Sequence, residues 1–296
     1  MRLEDYTPRL PGRGEIRVRV KAASVNPLDW QLRQGFMRLI MGSRFPRGMG
    51  MDLAGVVDAI GPGVKELSVG DEVLGQTPMS NQNAFSELAI TNPSLVITKP
   101  SSLSFVAAAA LPSVGLTAWR ALILVAGLKA GQTVLINGAA GGVGQAALAI
   151  ARAIGAVVSA RVGSTAIRAM EEQGLAYVLD YSRPIPDSLR HSFDVVFDCH
   201  GGLAAKEEES LLKPGGIAVD IVPNAGNLLL SLFSTKHRFA RGAPSNDILR
   251  KVVDLAVVGK FPLPVSRTAP LSDAIAMIRD LEAGKRVMGK AVIVMT

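Results

Sequence analysis

The run Val134-Leu-Ile-Asn-Gly-Ala-Ala-Gly-Gly-Val-Gly144 carries an apolar stretch into closely spaced glycines and out into an alanine-rich segment. Gly138, Gly141 and Gly144 stand three apart, Gly142 is added, and Ala140 and Val143 complete the turn. Small residues at this spacing let backbone approach a pyrophosphate, and the N–H groups that open the following helix bind the anion. Placed between a strand and a helix, the pattern is a strong signal for a dinucleotide; the alternative is a tight turn with no ligand. Sites for NAD usually carry an acid at the end of the next strand, on the ribose hydroxyls. Here no Asp or Glu occurs between Gly144 and Met170, while Arg152, Arg161, Ser164, Thr165 and Arg168 do. A cation with hydroxyls suits a 2′-phosphate, so the expected cofactor is NADPH. Arg161, near the strand's carboxyl end, is the leading contact. Arg168 and the Gly163-Ser164-Thr165 turn come next, and Arg152 reads as a solvated helix residue.

The elements that must hold this turn are readable from periodicity. Thr133–Asn137, Val157–Val162, Tyr177–Leu179, Phe193–Phe197 and Ile217–Ile221 are short apolar runs that read as strands. Gly144–Ile154, Ala166–Gln173 and Leu203–Leu212 read as the helices between them, and strands alternating with helices predict a doubly wound parallel sheet. Two helical segments, Phe105–Leu111 and Leu116–Ala126, stand ahead of it with Pro112 between them. The first hundred residues are instead β-rich. Glu15–Ala23 alternates charged and apolar residues, and Asp52–Ile60, Asp71–Leu74, Phe85–Ile90 and Ser94–Thr98 follow between Gly and Pro punctuation. The tail returns to mixed structure, with helices at Ile248–Val258 and Ala274–Leu281 and a strand at Lys290–Met295. The expectation is a β-rich domain built from both ends of the chain, with a nucleotide-binding domain inserted at 105–261.

Composition narrows the field. Of 296 residues 48% are hydrophobic and 19% charged, ample for a packed core. The net charge is +7, yet the dense basic runs, Arg13–Lys21 and Lys236–Arg241, carry no set of interleaved aromatics suited to base stacking, Phe239 being the one phenyl ring in them. Nucleic acid is therefore not the expected partner. The single cysteine, Cys199, permits no intramolecular disulfide and no cysteine-built zinc site. The N-terminus has no apolar signal core, and the uncharged stretch Pro100–Trp119 is broken by serines and Pro112, so no membrane span is expected and the compartment expected is the cytoplasm.

Several motifs, in order, resemble a known family. They are Asn26-Pro-Leu-Asp-Trp30, Gly50-Met-Asp-Leu-Ala-Gly-Val-Val57, Val69-Gly-Asp-Glu-Val73 and Leu111-Pro-Ser-Val-Gly-Leu-Thr-Ala-Trp119. Asn137–Gly144, Phe193-Asp-Val-Val-Phe-Asp198, Lys213-Pro-Gly-Gly216 and Gly289-Lys290 follow. Together they resemble the zinc-independent quinone oxidoreductase branch of the medium-chain dehydrogenase/reductase superfamily. The resemblance implies a GroES-like β-barrel domain at 1–104 and 262–296, a Rossmann NADP-binding domain at 105–261, an active site in the cleft between them and a homodimer. It leaves the family's usual opening strand without a counterpart before Arg2. Zinc-dependent members place Cys near Asn26 and a His-Glu pair near Met51-Asp52; neither is present, and no metal is expected.

The nicotinamide carries the hydride, and the protein orients it and excludes water. With no Lewis acid to stabilise an alkoxide, simple alcohol oxidation is disfavoured. Reduction of a small apolar quinone or conjugated enone is the expected reaction; an enoyl-thioester reductase and a non-catalytic NADPH-binding protein are the alternatives. Gly35-Phe-Met-Arg38 lacks the Tyr that enoyl reductases of the family often carry after the Asn-Pro motif. By the resemblance, Asn26 contacts substrate or nicotinamide, Thr117 faces the cofactor, Tyr181 lies on the adenine side and Lys290 joins the cofactor contacts. Asp29 and Asp52 are either catalytic, or a helix cap and a strand anchor respectively. His200, at a strand's carboxyl end, either donates a proton or is an ordinary loop residue. His191 and His237 have no supporting context. Phe36, Phe45, Phe233 and Phe239, in or beside the loops Phe36–Arg47, Gln76–Asn83 and Pro223–Pro244, suggest an apolar substrate pocket or ordinary core.

Overall fold

The structure, a computed structural model, describes residues 1–35, 47–222, 231 and 234–295. Phe36, Phe45 and Phe233, and most of the two loops that carry them, lie outside the described residues. The strands, in chain order, are β1 (Ile16–Val25), β2 (Asp52–Ile60), β3 (Glu72–Gln76), β4 (Leu88–Thr91), β5 (Val96–Thr98), β6 (Thr133–Asn137) and β7 (Val157–Val162). Then come β8 (Val178–Asp180), β9 (Phe193–Asp198), β10 (Leu212–Asp220), β11 (His237–Phe239), β12 (Val265–Pro270) and β13 (Lys290–Val294). The chain forms two compact units, one of Met1–Ser113, Pro244–Val257 and Val265–Thr296, the other of Val114–Ala243 and Val258–Pro264. This partition puts 105–113 and 244–257 in the first unit, where the sequence reading groups them with the second.

The first unit is built on a seven-stranded sheet in the order β12-β13-β1-β2-β3-β5, with β4 also paired to β1. Strand β1 organises it. Ile16, Val18 and Val20 point inward and are buried, as the alternation requires. Its outward Arg17 and Arg19 both reach Asp58 on β2, with Arg17 Nε 2.6 Å from one carboxylate oxygen and Arg19 Nη2 2.7 Å from the other. Half of the basic run Arg13–Lys21 is thus a paired strand face. The core beneath contains Leu53, Val57, Val73 and Ile293, and the helix Ala274–Glu282 closes on it through Ala274, Met277 and Ile278.

The second unit is a six-stranded parallel sheet in the order β11-β10-β9-β6-β7-β8. Counted from β6 as the first strand, the order is 3-2-1-4-5-6, the doubly wound arrangement in which ligands bind beyond the carboxyl ends of the strands. Its central strands are apolar on both faces because helices cover both. Phe193 and Phe197 on β9 are almost wholly buried, each contributing about 1.5–3 kcal/mol.

Several boundaries differ from expectation for physical reasons. Two helices flank this point as expected, Phe105–Ala110 and Pro112–Trp119, but Pro112 itself starts the second rather than lying between them, since proline's fixed φ and missing N–H suit a first turn. The chain then continues as a π-helix over Arg120–Val125. Strand β10 begins at Leu212, not Ile217: Leu212 pairs with Phe193, the register slips across Lys213–Gly216, and pairing resumes at Ile217↔Val195. Gly-Pro punctuation within a strand marks such an irregularity as well as an end. Among the described residues no helix is long and apolar enough to cross a membrane.

Candidate functional site

In the second unit, β6 ends at Asn137 and the backbone turns at Gly138, whose φ of +94° excludes most side chains. The helix Gly142–Ala153 follows, with Gly141 at its N-cap. Close packing of helix against strand requires Gly144: a Cβ there would lie 2.2 Å from the Gly138 carbonyl oxygen and 2.5 Å from Ala139 Cα. Gly141 is different, for a Cβ there would meet only the Gly138 oxygen, at 3.4 Å. Gln145 Nε2 donates to the Ala139 carbonyl at 2.8 Å and braces the turn. The first-turn N–H groups of this helix, including those of Gly142, Val143 and Gly144, have no intrahelical acceptor by construction. The turn therefore keeps one open side lined by N–H donors, as a pyrophosphate requires.

Beside the turn, three ring and cation groups lie in layers. Arg161, at the end of β7, holds its guanidinium carbon 5.4 Å from the Tyr181 ring centroid. Tyr181 in turn stacks on His200 at 5.1 Å and 14°. Arg161 is only 9% exposed, and its Nε–H, buried, finds no acceptor among the described residues. Asp198, at the end of β9, fixes the loop carrying His200: its carboxylate accepts from the N–H groups of His200, Gly201 and Leu203 at 2.8, 2.7 and 3.0 Å and from Asn137 Nδ2 at 2.8 Å. Arg168, on the helix Ile167–Glu171, is exposed and paired with Glu172. Ser164 opens a single 3-10 turn directly after β7. Thr117 packs against Gly242, where a Cβ would lie 2.8 Å from the threonine hydroxyl oxygen. Burial pushes the Cys199 thiol far up, and its S–H donates to the Asn137 carbonyl, so it is held as a neutral thiol.

In the first unit the residues singled out by motif come together in one buried polar network. Asp52, fully buried, accepts from Ser24 Oγ (3.1 Å), Asn26 Nδ2 (2.9 Å), Gln76 Nε2 (3.0 Å) and Ser113 Oγ (2.6 Å). Asn26 Oδ1 accepts from Lys290 Nζ at 2.6 Å, and Lys290 also donates to the Val25 carbonyl at 2.9 Å. The acceptor Asp52 on one side and the donor Lys290 on the other fix which end of the Asn26 amide is oxygen. Asp29 accepts the Asn26 backbone N–H at 2.7 Å, capping the helix Pro27–Arg33 from its first turn. Burial pushes the Asp29 carboxyl up and pulls the Lys290 ammonium down, so both are easier to neutralise than in water. Lys290, expected by resemblance among the cofactor contacts, spends two of its donors inside this network.

One cluster escaped the sequence reading. His237 on β11, Asp220 on β10 and Glu208 on the helix Ala205–Leu211 are all buried and face one another. Burial, with Asp220 and Asp198 adding to it, pushes the Glu208 carboxyl up to about 8; burial, then Asp198, pushes Asp220 up to about 7. No local spacing advertises a triad spread over three elements.

Comparison with known proteins agrees with this architecture. Residues 12–100 match the family model of the alcohol dehydrogenase GroES-like domain, and 173–293 match that of the zinc-binding dehydrogenases. The chloroplast envelope quinone oxidoreductase homolog of Arabidopsis thaliana is 30% identical, covering 89% of this chain and 85% of that protein. The mycocerosic acid synthase-like polyketide synthase of Mycobacterium tuberculosis is 35% identical over 96% of this chain, which spans only 14% of that protein's length. The quinone oxidoreductase structure from Coxiella burnetii superposes with a TM-score of 0.90 at 28% identity, covering 98% of this chain and 93% of that one. The parallel sheet with its glycine turn, joined to a GroES-like unit, makes the chain an oxidoreductase of the medium-chain dehydrogenase/reductase superfamily, in its quinone oxidoreductase-like branch.

Proposed function

We propose that the chain is an NADPH-dependent reductase of small apolar quinones or conjugated enones that works without a catalytic zinc. The observation that carries the cofactor choice is Arg161: a cation whose buried Nε–H has no acceptor among the described residues stands at the end of the second Rossmann strand, where NAD sites usually carry an acid. The residues fit the group. The Gly138–Gly144 turn would take the pyrophosphate, and Arg161 the 2′-phosphate, with the Tyr181–His200 stack offering an aromatic face beside it. When bound, the nicotinamide supplies a hydride to an electron-poor carbon of the substrate. Asn26, Asp29 and Asp52 are turned into their own network, so we take the completing proton from water.

Zinc-dependent members of the superfamily draw Cys and His ligands from the GroES-like unit. In this chain Cys199, His191, His200 and His237 all belong to the second unit, and the first has no thiolate or imidazole to offer. Similarity to the Arabidopsis quinone oxidoreductase homolog and the Coxiella quinone oxidoreductase supports a quinone as substrate. The identity to a stretch of a polyketide synthase favours a second reading, an enoyl thioester in the enone's place.

NADPH consumption against a panel of quinones, enones and enoyl thioesters decides among these. Turnover with quinone or enone is expected; tight NADPH binding with no turnover on any of them would instead make the chain a binding protein. Arg161→Ala is expected to weaken NADPH by about tenfold to hundredfold, from the 1.5–3 kcal/mol of a charged hydrogen bond, and to leave NADH within twofold. Equal losses for the two cofactors, read by titrating intrinsic fluorescence, would remove the 2′-phosphate from the argument.

A further inference from the structure

The triad of the second unit does no work in the proposed reaction, and its geometry calls for a ligand. Each of Glu208, Asp220 and His237 offers one ligand atom, and these atoms all lie within 4.8 Å of one another. His237 Nδ1 is 3.3 Å from Glu208 Oε2, while its Nε2 is 3.2 Å from Glu209 Oε1. Tetrahedral zinc, with bonds of 2.0–2.2 Å, sets its ligand atoms about 3.4 Å apart, so the His237–Glu208 edge already has the required length.

Two further features point the same way. Glu208 is 1% exposed, and its second oxygen, Oε1, has no hydrogen-bond partner among the described residues. A buried carboxylate oxygen is rarely left bare unless something else satisfies it. The imidazole is also placed as metal-bound histidines are: Nδ1 faces Glu208 and Nε2 faces Glu209, so the tautomer with its proton on Nε2 donates to Glu209 and leaves Nδ1 free for a metal. The surroundings are anionic, for Asp198 on β9 and Glu207 and Glu209 on the helix add charge, and Lys236, just ahead of β11, pairs with Glu209 at 3.6 Å.

We propose that Glu208, Asp220 and His237 form a divalent-cation site, suited to zinc, that ties β10, β11 and the helix Ala205–Leu211 together and takes no part in hydride transfer. Two carboxylates neutralise a dication, and one imidazole with two carboxylate oxygens is a donor set zinc accepts, leaving a fourth position for water. The site is separate from the ligands that zinc-dependent relatives use, none of which this chain has.

The test uses the full chain, dialysed against a chelator and titrated with zinc chloride by calorimetry, then loaded with cobalt(II) for its visible spectrum. One equivalent of zinc is expected to bind, raise the melting temperature and give a cobalt spectrum of low coordination number. Glu209→Gln should weaken zinc about tenfold, as loss of a supporting hydrogen bond does, and Glu208→Gln by more. His191→Gln should change nothing. Absence of stoichiometric zinc uptake by the wild-type chain overturns the proposal, whatever the variants do. So does uptake that survives Glu208→Gln with the same cobalt spectrum. NADPH titration of the same samples is read separately and does not bear on the outcome.

Discussion

An Asp52→Ala variant is expected to lose about 3–5 kcal/mol of stability in the first unit, the cost of removing one partner from a buried charged network. The magnitude follows from what would be stranded. Ser24, Asn26, Gln76 and Ser113 all donate to this one carboxylate, and a methyl group accepts from none of them. Lys290 would also lose a counter-charge that favours its ammonium form. Asp52→Asn keeps the volume but sets an NH2 group against those donors, so it should cost less than alanine and still be clearly destabilising. The charge part can be separated by a double-mutant cycle. Lys290→Met in the Asp52→Asn background should recover about 1–2 kcal/mol relative to additivity, because the ammonium left without its partner is gone. Urea midpoints give the totals, and hydrogen exchange at the amides of β1 and β2 places the loss in the first unit. Additive variants would mean that Asp52 acts through its hydrogen bonds alone; an Asp52→Ala chain as stable as wild type would remove the network from any account of this unit.

The parts of this molecule legible in the sequence are those whose physics is local. The end of β6, the Gly138–Gly144 turn and the start of its helix are specified within a dozen residues, because strand period, positive φ and close approach leave marks at fixed offsets. Arg161 is legible for the same reason, as the residue standing near the end of the next strand. Asp29 is half legible: a first-turn acid is a recognised cap, and only the contact with the Asn26 N–H shows it acting as one. The network around Asp52 is not legible beyond its motif residues. It joins positions 24 to 61 residues apart, and Lys290 reaches Asn26 across 264. Ser113 and Gln76 carry no signal of their own. His237 is the clearest loss. It stands in the basic run Lys236–Arg241 with no supporting context, yet the pairing Ala218↔His237 brings it under the helix of Glu208. Residue spacing cannot report a meeting that sheet order alone decides.

The second large effect separates what the glycine turn does for the fold from what it does for a ligand. In Gly144→Ala the added carbon would lie 2.2 Å from one backbone atom and 2.5 Å from another. Neither can swing aside as a side-chain tip would, so the helix Gly142–Ala153 must move off β6. Overpacking of this kind costs about 1–3 kcal/mol and at times more, and the displaced N–H groups should weaken nicotinamide dinucleotide binding by about a hundredfold or more. Gly141→Ala is the partner experiment. Its φ of −76° suits alanine and its nearest neighbour would be at 3.4 Å, so stability should change by less than about 1 kcal/mol. The same carbon would stand on the open side of the turn, where the pyrophosphate must come closest. Binding should therefore fall at least tenfold while the melting temperature holds. If Gly141→Ala bound the dinucleotide like wild type, the pyrophosphate would not be resting on this turn. The conclusion drawn from Arg161 would go with it, because that residue is placed relative to a ligand anchored there.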